Sequence, residues 1–184
     1  MKFSAMPYSR PDLEAMKANL TACTEAFLAA ESAQEQIAQY DRVTDLSVEF
    51  NTMGSLANAR HTIDTRDEFY DAEETFWNAA TPELDAYEDA WKGTMLESPF
   101  RKEFAAEYGD LMFVNAEIAR KAFSPEIIPE SQQENDLSQA YSKLIASAQI
   151  PFEGGVYTLS QLSPFKNDPD DARLLSDVQG EKID

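Results

Sequence analysis

Again and again along this chain a small capping side chain stands directly before a proline. Thr81-Pro82-Glu83, Ser98-Pro99, Ser124-Pro125-Glu126 and Asp168-Pro169-Asp170-Asp171 all have this form. Proline has no backbone N–H and holds φ at about −65°, so it suits the first turn of a helix and disrupts the interior. A carboxylate just behind it meets the positive end of the helix dipole. Each junction therefore predicts a helix start. Together they predict several medium helices, not one long coiled coil.

The intervals between junctions carry helical periodicity. Leu13, Met16, Leu20, Cys23 and Phe27 form one apolar stripe, in a helix opened by Pro11 and Asp12. Ser32-Ala33-Gln34-Glu35 is a capping box that starts a second helix, so these two form an antiparallel hairpin. The second helix runs through Ile37 and Tyr40 into Val43, Leu46, Phe50, Met53 and Ala57, and His61 is the next position on that stripe. Gly54 inside it predicts a bend or the close approach of another backbone. Thr65-Arg66-Asp67-Glu68 reads as a further capping box before a helix carrying Phe69, Phe76 and Trp77. Beyond Pro82 come Leu84, Tyr87, Trp91 and Met95. Phe100, Phe104 and Tyr108 follow Pro99 and end at Gly109. Leu111, Val114, Ile118 and Ala122 continue the helical spacing, and Leu137, Tyr141, Leu144 and Ala148 give a last clear helix. Ile150–Leu159 then reads as a short β-hairpin turning at Gly154-Gly155. The predicted fold is all-α: an antiparallel multi-helix bundle with one small hairpin near the C-terminus.

Composition bounds the function. The formal charge is −19, which repels phosphate backbones and anionic lipid, so nucleic-acid and membrane binding are disfavoured. The lone Cys23 cannot form an internal disulfide and reads as a small buried hydrophobe. Met1–Tyr8 lacks the apolar core of a signal peptide, and no apolar run approaches membrane-spanning length. A cytoplasmic chain is expected.

Several segments resemble one family. FNTMGSLANARHTIDTRDEFYDAE around His61, MKFSAMPYSRPDLEAM at the start, ESPFRKEF at Glu97–Phe104, FSPEIIPESQQEN at Phe123–Asn135 and LSQAYSKLIASAQIPFEGGVYTLSQLSPF at Leu137–Phe165 are similar to the N-terminal region of the oligoendopeptidase F family of zinc metallopeptidases. The last segment is the most specific, because it joins helix, hairpin and loop in one order. The resemblance implies residues 1–171 as an N-terminal helical domain and 172–184 as a truncated or divergent tail. It implies a parent enzyme with a deep channel that cleaves short peptides. That enzyme holds catalytic zinc with the two histidines of an HExxH helix and a later glutamate. This chain has one histidine and no HExxH, so no catalytic, cofactor-binding or metal-ligating residue carries over. Zinc is expected in the complete family enzyme and not in this chain.

The remaining candidates read as structural. His61 has no second histidine to share a metal, and Asn58 stands where a Glu-x-x-His pair needs its carboxylate, so a hydrogen-bonded histidine at a helix junction is expected. Asp67, Glu68, Asp71, Glu73 and Glu74 are spread around a helix and read as its solvated start. Cys23 has no base near it in sequence, and Gly154-Gly155 lacks the lysine and helix of a phosphate loop. Tyr87, Trp91, Phe100 and Phe104 are spaced as core. An exposed apolar patch is expected at Ile150, Phe152, Val156, Tyr157, Leu159, Leu162 and Phe165. The expected function is a non-catalytic channel-wall segment of an oligoendopeptidase F-like enzyme, inactive alone, which meets the catalytic half or a second copy through residues 150–165. The alternative is a truncated helical interaction protein that partners or regulates a peptidase.

Overall fold

Capping side chains set the helix starts. In a computed structural model that describes residues 5–167, Asp12 accepts a hydrogen bond from the Ala15 N–H at 3.0 Å and opens α1, Leu13–Ala29. Ser32 and Glu35 form the reciprocal capping box that opens α2, Ala33–Ile63. At the next junction the cap is Asp67 and not Thr65: its carboxylate accepts from the Phe69 and Tyr70 N–H groups and opens α3, Glu68–Leu96. Then come α4, Arg101–Tyr108, and α5, Leu111–Ala122. A 3-10 turn over Pro125–Ile127 leads into α6, Ile128–Ser147. Strands β1, Ile150–Phe152, and β2, Gly155–Tyr157, and a short helix α7, Leu159–Leu162, complete the described elements with a 3-10 turn over Ser163–Asn167. The expected helix start at Asp168-Pro169 and the tail 172–184 lie outside the described residues.

The chain forms two compact units, divided within α6 after Leu137. The first is the bundle. Met16, Leu20, Cys23 and Phe27 of α1 are buried against Val43, Phe50 and Ala57 of α2 and against Trp77, Leu84, Trp91 and Met95 of α3. Edge-to-face aromatic pairs tie the layers, with Phe27 and Trp91 centroids 5.0 Å apart and Phe50 and Trp77 4.6 Å apart. The glycine expected to mark a close backbone approach meets a ring instead: a Cβ on Gly54 would lie 3.3 Å from Trp77. One buried polar knot joins the end of α1, the start of α2 and the turn after α3. Gln36 donates to the Phe27 carbonyl at the end of α1, and Ser98 Oγ donates to Gln36 Oε1 at 2.5 Å.

Further sequence expectations fail in this unit. Pro82 does not restart a helix; it sits buried inside a continuous α3. It cannot donate to the Asn78 carbonyl one turn back, which would ordinarily break the helix. Here the side-chain amide of Asn135 on α6 donates to that carbonyl at 3.2 Å, and Gln132 donates to the neighbouring Ala79 carbonyl at 2.9 Å. Asn78 in turn donates to Asp136. Tertiary contacts replace the missing donor and override the local signal. In α5 the buried face is Phe113 and Ala116, while Leu111, Val114 and Ile118 stand exposed. Ser98-Pro99 makes a turn before α4, with the Phe100 N–H donating to Ser98 Oγ, and Ser124-Pro125 opens the 3-10 turn.

The second unit carries the hairpin. Ile150 pairs with Tyr157, Pro151 with Val156 and Phe152 with Gly155. The turn is Glu153-Gly154, one residue earlier than the two glycines suggest, with φ of 46° and 83°. Two left-handed residues match the twist of the flanking strands. Phe152, Tyr157 and Phe165 pack on one another with centroids 5.5 to 6.5 Å apart. Leu162 is buried and Val156 exposed.

Candidate functional site

The α2–α3 junction gathers the residues that carry chemistry. His61 lies in the last turn of α2 and is 2% exposed. Its Nε2 stands 3.3 Å from Asp71 Oδ1, in electrostatic contact but without the alignment of a hydrogen bond. The acidic residues do not converge. Asp67 caps α3 and Asp71 faces His61, while Glu74 accepts from Asn58 at 2.9 Å. Glu73, expected in solvent, is 3% exposed.

Glu73 anchors the N-terminal lead. Arg10 grips it with two fork contacts, Nη2 to Oε1 at 2.7 Å and Nε to Oε2 at 3.0 Å. The Tyr8 hydroxyl donates to the same carboxylate and accepts from the Trp77 indole N–H at 3.1 Å. Arg10 also lies over the Phe76 ring, 4.6 Å from its centroid. One turn away Arg60 donates to the Met6 carbonyl and to the Tyr70 hydroxyl. The Arg10 guanidinium holds the Glu73 carboxyl below the usual carboxylate range, against the opposing effect of burial. Burial, and then the bond to Glu73, push the Tyr8 hydroxyl up to about 12. No periodic signal marked Tyr8 or Arg10, because a strap of irregular chain has no repeat to read.

Concavities of the bundle include two that α2 borders. A groove of about 950 Å³ bordered by α2, α3, α4 and α5 includes Tyr40, Trp91, Met95, Tyr108 and Met112 in its lining. A smaller pocket of about 360 Å³ lies between α2 and α3 beside Asn135. Cys23 is buried, and burial pushes its thiol up, away from the reactive thiolate. Among the described residues no group of three or more histidine, cysteine, aspartate or glutamate side chains could hold a metal ion. The donor set around His61, a single carboxylate, does not fit catalytic zinc. No described helix is long and apolar enough to cross a membrane.

The described residues define an all-α protein: one unit is a helical bundle strapped by its N-terminal lead, and the other carries a small antiparallel hairpin. The family described as Peptidase M3 N-terminal domain matches residues 3–123, and the chain belongs to that family. Among solved structures it is similar to PZ peptidase A with an inhibitor, at 38% identity and a TM-score of 0.89 over 96% of this chain and 32% of that one. It is also similar to a structure assigned as an oligoendopeptidase F, at 38% identity and a TM-score of 0.91 over 97% of this chain and 32% of that one. A third, assigned as an oligoendopeptidase F from Bacillus anthracis, matches at 38% identity and a TM-score of 0.85 over 90% and 30%. The chain spans about a third of the length of each. No curated protein sequence matches.

Proposed function

We propose that this chain is the non-catalytic N-terminal segment of an oligoendopeptidase F-like zinc metalloendopeptidase of the cytoplasm. In the whole enzyme it forms part of the channel wall and limits admission to short peptides. The observation that carries this reading is one of coverage: nearly all of this chain aligns with about a third of each related structure. The zinc and its HExxH helix belong to the remaining portion, and the residues here do not fit the metal. The apolar side chains of α6 and the hairpin, including Leu137, Tyr141, Leu144 and Val156, meet that portion. The test is to read the gene downstream of the codon for Asp184 in all three frames. An HExxH-encoding stretch is expected. Its absence anywhere nearby overturns the reading.

A further inference from the structure

The smaller pocket between α2 and α3 is lined mostly by polar side chains. Its walls are Asn51, Gly54, Ser55 and Asn58 from α2 with Glu74, Asn78 and Thr81 from α3, and Asn135 closes one side. Asn51, Ser55, Asn58 and Thr81 stand at exposed positions around its mouth, so its rim is made of carboxamides and hydroxyls. Trp77 and Phe50 form its apolar base. Gly54 lets α2 approach the buried Trp77 ring closely there, since a Cβ at that position would stand 3.3 Å from the ring.

The charge in the pocket is unbalanced. Glu74 Oε1 accepts from Asn58 Nδ2 at 2.9 Å, while Glu74 Oε2 is shielded from solvent and has no hydrogen-bond partner. No lysine or arginine lines the pocket. A shielded carboxylate oxygen without a donor costs free energy that a ligand carrying a donor would recover. An aromatic face beside it favours a cation over a neutral group. Carboxamides both donate and accept, which suits the N–H and C=O groups of an extended peptide.

We propose that this pocket binds the primary ammonium group of a peptide, with Glu74 as its counter-ion, Trp77 beneath it and Asn51 and Asn58 toward the adjoining main chain. The ammonium has two sources, a peptide amino terminus or a lysine side chain. The inference rests on the peptidase reading only for its interest as a substrate subsite; binding is measured on this chain alone, so either can fail without the other.

The experiment titrates the full isotope-labelled chain with three peptides and follows the Trp77 indole N–H resonance. The peptides are tetra-alanine, its N-acetylated amide, and N-acetyl-Ala-Lys-Ala amide. A shift of the Trp77 signal is expected with the first or the third, binding at least tenfold more tightly than the second. Which of the two binds identifies the source of the ammonium. Glu74→Gln keeps the acceptor for Asn58 but removes the charge, and should weaken binding at least tenfold. Ser55→Leu, at an exposed helix position, fills the pocket and should abolish binding while the chain remains folded. Equal binding of all three peptides, no binding of any, or undiminished binding by folded Glu74→Gln overturns the proposal.

Discussion

Glu73 is the residue whose environment departs furthest from its sequence context. It stands in a run of acids at the start of α3, yet it is buried and held by Arg10 and Tyr8 from a lead segment more than sixty residues away. Its folded-state proton affinity lies below that of the unfolded chain, so the unfolded state takes up this proton first as the pH falls. The stabilisation is therefore fully present above the ordinary glutamate value of 4.5 and is lost as the pH drops through the lower folded value. Arg10→Ala should cost about 2 kcal/mol at pH 7, the range for a hydrogen-bonded charged group. Denaturant melts of the two chains at pH 7 and pH 3 check this, and the difference between them should shrink in acid. The capping side chains Asp12 and Ser32 were legible because a cap acts over three residues. The Tyr8–Arg10–Glu73 lock was not, because it acts across the fold.

Pro82 shows the same division at the scale of an element. Read locally, Thr81-Pro82-Glu83 is a helix start, and an interior proline costs about 3 kcal/mol against alanine. α3 continues through it because Asn135 supplies the lost donor to the Asn78 carbonyl from a helix more than fifty residues away. If so, the two residues are coupled. Asn135→Ala should cost about 1–3 kcal/mol in the native chain, where it leaves a carbonyl unpaired. It should cost much less in a Pro82→Ala background, where the backbone N–H of residue 82 takes over. A double-mutant cycle by urea unfolding measures that difference, and additive costs would refute the bypass. The buried stripes of α1 and α2 were readable because apolar residues at helical spacing had one face to choose. α5 was misread because it carries apolar side chains on two faces, and periodicity alone does not say that Phe113 and Ala116 go inward while Leu111, Val114 and Ile118 stay out.

At the scale of the whole molecule the telling feature is α6. It has the stripe Leu137, Tyr141 and Leu144 at regular spacing, and none of its twenty residues is buried. Those three side chains are 63, 65 and 66% exposed, where a helix with this pattern ordinarily turns it to a core. The bundle and the hairpin were legible from pattern and resemblance, because helical spacing and a glycine turn are both read within a few residues. The structure adds that Asp71 faces His61, Glu73 is held by Arg10 and Glu74 accepts from Asn58, each in a separate contact. The most direct measurement mixes the purified chain with the remaining two thirds of a related oligoendopeptidase F and follows cleavage of a short fluorogenic peptide. The account predicts no cleavage by this chain alone, chelator-sensitive cleavage by the mixture, and its loss with Tyr141→Glu and Leu144→Glu, surface changes that should leave folding within about 0.5 kcal/mol each. Chelator-sensitive cleavage by this chain alone, or a mixture no more active than its parts, would contradict it.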